Sequence, residues 1–314
     1  MIVLRSASLV AVVDPAHGAE VVELIDIASG SRMLGAPPFP PAPPVAGDLD
    51  EDTWTAAYRC GWQVAAPNAG NACGVRGDRH GFHGAASVGA WQVVEASTAS
   101  ASMRWHGHGL VATRTVTADG PGLISEMHWA AEAGPAPMVA VEHLVLGQRV
   151  LVPDTEITLP GGRAWELSEA NGPVRPPCKA PVWPELLLLD GSIERGDAFP
   201  ADQVRSRFAV VADVPAGRAA VCSPTAGWEV GLEWDERTLP HVWVWHEMRA
   251  SGGLWRGQAE LLGIEPASVP HSLGLERAVA EHQAVWIEPG AGFRTWTRLT
   301  VRPPAVLDAP ATAR

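Results

Sequence analysis

The sequence predicts an all-β protein, and three observations carry that prediction. Apolar residues recur with a period of two along most of the chain, as they do in strands with one buried face. Apolar spacing of three and four residues never persists beyond two turns, so long amphipathic helices are not expected. The chain is also heavily punctuated, with 32 glycines and 28 prolines among 314 residues. Short strands parted by turn residues at intervals of about 8–12 residues predict a sandwich or a barrel.

In chain order, 8–14 alternates, 15–18 supplies turn residues, and 19–27 alternates again, which reads as a hairpin. Strands follow over 91–96, 102–108, 110–117, 123–130 and 138–146, separated by Gly, Pro or Ser. A second run covers 206–214, 219–222, 228–234, 241–248 and 293–301. Three stretches break this rhythm. The segment 36–44 (APPFPPAPP) is a polyproline-like loop, and 172–184 is a second proline-rich excursion. The Gly- and His-rich stretch 67–89 is too irregular for a strand and too long for a turn, which marks it as a functional loop. No repeat and no linker divides the chain, so one domain over 1–314 is expected.

Composition narrows the function. With 46% apolar and 18% charged residues the chain is that of a folded soluble protein, long enough to bury a large core. Lys and Arg number 23 against 35 Asp and Glu, a net charge of −12 without a basic run. That balance excludes the clustered cations that nucleic acids and anionic membranes need. No apolar run reaches the length of a membrane span. The only lysine, Lys179, lies in the second proline-rich excursion and is a poor candidate for Schiff-base chemistry. Cys60, Cys73, Cys178 and Cys222 show no metal-ligand spacing, and the N-terminus shows no signal peptide; buried free thiols in a cytoplasmic protein are expected. Tryptophan is abundant, 14 residues against 5 Phe and 1 Tyr, and most are expected to fill the core.

Among the 11 histidines, three contexts stand out. His80 and His83 sit in the Gly-rich loop, where a flexible backbone can aim an imidazole. His143, in VEHLVLG, shares a strand face with Val139 and Val141 and is either a core histidine or a pocket wall. His106 and His108 would share a strand face at His-x-His metal spacing, but the next acid, Asp119, is too far along to complete a ligand set. Among the carboxylates, Glu265 closes an apolar run and is held extended by Pro266. Glu247 shares a face with Trp243 and Trp245, and two indoles beside a carboxylate form the pattern of a sugar subsite.

Taken in order, these segments resemble the galactose mutarotase-like (aldose 1-epimerase) family. The resemblance lies in GWQVAAPNAG (61–70), HGAASVGAW (83–91), EHLVLG (142–147), LPHVWVWHE (239–247), GIEPAS (263–268) and WIEPGAGFRTWTRLTV (286–301), with DPAHGAEVVELID as the first hairpin. It spans nearly the whole chain, and it is the order and spacing of the motifs that are specific.

The resemblance implies a β-supersandwich of large antiparallel sheets with a sugar cleft on one face. It implies an isomerase that opens and recloses a sugar ring, with Glu265 as general base and His143 as general acid. An unperturbed glutamate is ionised at neutral pH and an unperturbed histidine titrates near it, which suits those roles. His83 or His80 would bind near the ring oxygen, and Gln63, Trp62, Arg76, Trp245 and Glu247 would line the subsite, with Arg79 a further candidate donor. Gln63 stands where related sequences often carry an acid. No metal or organic cofactor is implied, and the partner is a small carbohydrate bound by a monomer or homodimer. Two other functions on the same fold stay open: a non-catalytic sugar-binding protein, and another sugar isomerase or lyase.

Overall fold

The computed structural model describes residues 1–147, 150–168, 172–198, 204–225, 227–251 and 255–302. Two large sheets dominate. The first has 11 strands and is antiparallel throughout except where Arg163–Glu166 runs parallel to Glu185–Leu187. Its centre is the run Trp62–Ala65, Val141–Gly147, Glu260–Ala267, His241–Met248 and Arg205–Ala212. The second sheet has eight antiparallel strands, with Gly292–Arg302, Gly122–Ala131 and Leu110–Asp119 at its middle. The two sheets face each other across the main apolar core, which Leu24, Trp62, Leu144, Leu262 and Ile264 enter from the first sheet and Trp129, Leu232 and Leu299 from the second. This is the expected β-supersandwich.

Pleating makes the first sheet two-faced. Alternate residues of Val141–Gly147 point to opposite sides, so Leu144 and Leu146 join the main core while Val141 and Val145 enter two smaller clusters on the outer face. Those clusters hold Trp243, Val210 and Leu275 on one side and Trp54, Tyr58 and Trp255 on the other. Every residue of this strand is buried because both of its faces are covered.

The sequence-derived strands agree with the observed ones to within a few residues at most ends. Trp228–Trp234 and His241–Met248 coincide, while the 138–146 stretch divides into Ala136–Met138 and Val141–Gly147. Two expectations are corrected. The 67–89 stretch is not wholly irregular: Cys73–Val75 pairs with Asp78–His80, and Ala85–Ser87 forms a 3₁₀ turn. The four cysteines are unpaired, as expected, but only Cys60 is buried; Cys178 is exposed.

A short helix, Glu51–Ala57, follows the first proline-rich loop. Asp50 caps it by accepting from the Thr53 N–H at 2.8 Å, and Glu51 and Asp52 sit in its first turn, where the helix dipole favours acids. Its buried face carries Trp54, with Tyr58 stacked on it four residues on, at 4.8 Å between ring centroids. This helix roofs part of the outer face of the large sheet.

Candidate active site

A cavity of about 330 Å³ opens on the outer face of the large sheet, between its central strands, the helix Glu51–Ala57 and the 67–89 loop. Cross-strand register builds its floor. Gln63 is opposite His143, and Glu265 is opposite Trp243 on the next pair. In the pairing of Val141–Gly147 with Glu260–Ala267, Val141 faces Ala267 and Val145 faces Gly263, which sets His143 beside Glu265. One row of side chains thus crosses four strands on the same face.

His143 and Glu265 make the central contact, Nδ1 to Oε2 at 2.7 Å. Both are buried, and both line the cavity. The two groups are in close contact but not aligned as a hydrogen bond, and His143 Nδ1 and Glu265 Oε1 have no hydrogen-bond partner. Polar atoms left in this condition at the wall of a cavity are poised to bond a ligand. Gly263 makes room for the carboxylate: a Cβ there would lie 2.3 Å from Glu265 Oε1 and 3.2 Å from Trp245 Cβ.

His83 reaches the same point from the loop. Its ring stacks on His143 at 5.2 Å between centroids and lies against Trp54 at 4.6 Å, tilted by 51°. The Gly70 N–H donates to His83 Nδ1 at 3.3 Å, and the His83 N–H donates to Gly70 O at 3.1 Å. Burial, and then the neighbouring His143, hold its pKa well below the usual histidine value. A neutral imidazole whose Nδ1 accepts carries its proton on Nε2, so His83 is a fixed hydrogen-bond donor rather than a proton store. Gly70 is required where it is: its φ is +80°, and a Cβ would overlap Ser272 O.

The loop is tied down by Asn68. Its side-chain N–H groups donate to Asn71 O and Gly81 O, and its Oδ1 accepts from the Leu275 N–H at 2.6 Å. The PN dipeptide at 67–68 therefore anchors this loop to the helix Leu275–Ala280.

Of the residues singled out in the sequence, Glu265, His143, His83, Trp245 and Glu247 line this one cavity. Gln63 lies on the same face beside His143, buried, with both amide atoms unpartnered, but it is not part of the cavity wall. Three others lie elsewhere. Trp62, next in sequence to Gln63, is turned by the pleat into the main core, where its Nε1–H donates to Glu142 at 2.6 Å. His80 ends a two-strand ribbon and stacks on His108 at 4.3 Å, away from the cavity wall. Arg76 is at the ribbon's turn, φ +56°, where it donates to Pro135 O and lies 5.5 Å from the Trp286 ring. The neighbouring Arg79 is exposed on the same ribbon.

The His-x-His pair also separates. The strand ends at Gly107 and His108 takes a left-handed turn, φ +52°, so the two rings do not share a face. His106 pairs with Glu132 and His108 with Asp48, each at 3.2 Å. Among the described residues, no cluster of three His, Cys, Asp or Glu side chains has the arrangement of a metal site.

Sequence reasoning missed the aromatic roof of Trp54, Tyr58, Phe82 and Trp255. The signal available for part of it was the i, i+4 spacing of Trp54 and Tyr58 behind a capping Asp50.

The fold is a β-supersandwich, and the cavity is a cleft on the outer face of its larger sheet. Among solved structures, the Slr1438 protein from Synechocystis sp. PCC 6803 matches with a TM-score of 0.69 at 16% identity, covering 96% of this chain and 95% of that one. The GalM/aldose epimerase homologue from C. elegans matches with a TM-score of 0.67 at 14% identity, covering 96% and 98%. A galactose mutarotase related enzyme from Lactobacillus acidophilus matches with 0.64 at 11% identity, covering 96% of each chain. No protein-family profile and no curated protein sequence matches this chain. The likeness establishes the fold.

Proposed function

We propose that the protein is an aldose 1-epimerase-like isomerase that interconverts the anomers of a small sugar. One observation carries the reading: a carboxylate and an imidazole in direct contact, 2.7 Å apart, on the floor of an aromatic cavity. The structural neighbours described as a GalM/aldose epimerase homologue and a galactose mutarotase related enzyme support a sugar as the substrate class.

In this reading Glu265 takes the proton of the anomeric hydroxyl while His143, as imidazolium, delivers a proton to the ring oxygen. The bond between C1 and the ring oxygen breaks as the C1 carbonyl forms. Rotation about C1–C2 presents the other carbonyl face, and the reverse transfers close the ring. His83 donates from Nε2 to a substrate oxygen and stays neutral. The indole faces of Trp245 and Trp255 offer stacking surface to the apolar face of the sugar. The substrate must slip between groups that touch each other in the free protein, and their unpartnered polar atoms supply the bonds that reward insertion.

The test is to dissolve pure α-anomers of several aldoses and follow optical rotation. Enzyme-dependent acceleration that disappears in Glu265→Gln supports the proposal. Relaxation at the buffer rate for every aldose, with ligand-dependent quenching of tryptophan fluorescence, would make the protein a sugar binder instead.

A further inference from the structure

The cavity has an unusual balance of charge. Three glutamates line it, Glu51, Glu247 and Glu265, and among the described residues no lysine or arginine does. Two arginines flank Ser206, which does line it, but the pleat turns Arg205 and Arg207 to the other face. There Arg207 Nη2 pairs with Glu194 at 3.0 Å, and both arginines face His246. A phosphorylated or carboxylated sugar would find no lysine or arginine among the described lining residues, and burying such an anion beside three carboxylates is costly.

The walls are suited to the opposite charge. Tyr58, Trp245 and Trp255 line the cavity as one aromatic group: Trp245 and Trp255 are 5.6 Å apart and tilted by 41°, and Tyr58 and Trp255 are 6.3 Å apart and tilted by 49°. Tyr58 and Trp245 each also approach His143, at 5.4 and 6.5 Å. Two residues beyond Trp245 on the same strand face lies Glu247, only 6% exposed. The Tyr58 hydroxyl, on a residue 2% exposed, has no hydrogen-bond partner. Aromatic side chains beside a buried carboxylate are the elements that hold an ammonium group.

We propose that the sugar this cavity takes carries a cationic nitrogen, as in an amino sugar, seated among Tyr58, Trp245 and Trp255 with Glu247 as its counterion. The inference rests on the sugar-isomerising reading of the same site and names its substrate class. The ammonium replaces its hydration shell with three ring faces and a carboxylate, and a neutral hydroxyl at that position has only the carboxylate to bond.

The experiment compares glucosamine, galactosamine and mannosamine with their parent hexoses, their N-acetyl derivatives and glucose 6-phosphate, below the pKa of the amine. Binding is read by tryptophan fluorescence and anomer interconversion by exchange NMR. At least one amino sugar should bind about tenfold or more tightly than its parent and its N-acetyl derivative, and glucose 6-phosphate should not bind. Glu247→Gln should bring that ratio toward one, and so should Trp255→Leu, an independent variant in case the first does not fold. Equal or tighter binding of the parent, the N-acetyl derivative or the phosphate would overturn the inference. Amino sugars that bind selectively without faster anomer exchange would sustain it and refute the isomerase reading. No binding by any sugar would refute both.

Discussion

Glu142 and Glu265 are both buried, at 2% and 1% exposure, on neighbouring strands of one sheet, and they face opposite ways. Glu142 points into the core between the sheets. There Trp62 donates to it at 2.6 Å, and Arg114 lies 4.0 Å away, itself fixed by bonds to Ser125 and Ala19 O. Glu265 points outward, against a histidine at a cavity wall; each of the two glutamates has one oxygen without a hydrogen-bond partner. The comparison teaches that burial of a carboxylate does not define a site. In the proposed reading, a permanent counterion and an indole donor make Glu142 structural, while a histidine partner at a cavity wall fits Glu265 for chemistry.

The largest effect that would sharpen this contrast is on activity. Glu265→Gln and His143→Asn should each lower kcat/KM by about 10²–10⁴-fold with little change in the unfolding transition. Glu142→Gln should do the reverse. It strands Arg114 in the core and should cost about 3–5 kcal/mol by denaturant unfolding, while the folded fraction keeps its kcat/KM. If the two glutamine variants behave alike, the distinction between the faces fails.

Next in size is Gly263→Ala. The new Cβ would meet Glu265 Oε1, so the carboxylate must move, and displacement by about 1 Å can cost up to about 10²-fold in rate. The expected signature is a fall in kcat with the protein still folded.

The smallest effect per group is on the pH dependence of stability. Burial holds the pKa of His17, His241 and His271 at about 4 and that of His246 at about 3, and lowers those of His80, His83 and His128 too. A depressed histidine is neutral when folded and protonated when unfolded between those pKa values. Its stabilisation is therefore full above about pH 6.5 and is lost as pH falls toward 4. Glu20, Glu142 and Glu247 are raised by burial and act in the opposite sense, but they are three against seven. Tm should fall progressively below pH 6.5, and a Tm that rises on acidification would contradict this.

Much of the fold was legible because strand periodicity is a local property. Residues 8–14 and Trp228–Trp234 announce themselves by alternation and flanking turns. The strands that build the site floor were harder, because Val141–Gly147 and Glu260–Ala267 are covered on both faces and so lose the alternation that reveals a strand. The pairing of His143 with Glu265 rested on motif order. Trp62 and Arg76 could not be placed from motif order alone, since one step along a strand exchanges core for cavity and a tight turn at 76–77 re-aims its side chain. The aromatic roof was invisible for a different reason: Trp54, Phe82 and Trp255 meet only through tertiary contacts between distant segments.

The central claim is that Glu265 and His143 act together on the anomeric centre. Exchange NMR on an equilibrated sugar measures that step directly, through the rate at which α and β signals interconvert with and without enzyme. The account predicts enzyme-dependent exchange that Glu265→Gln and His143→Asn each abolish and Glu142→Gln retains. Exchange that persists in the Glu265→Gln variant would contradict it.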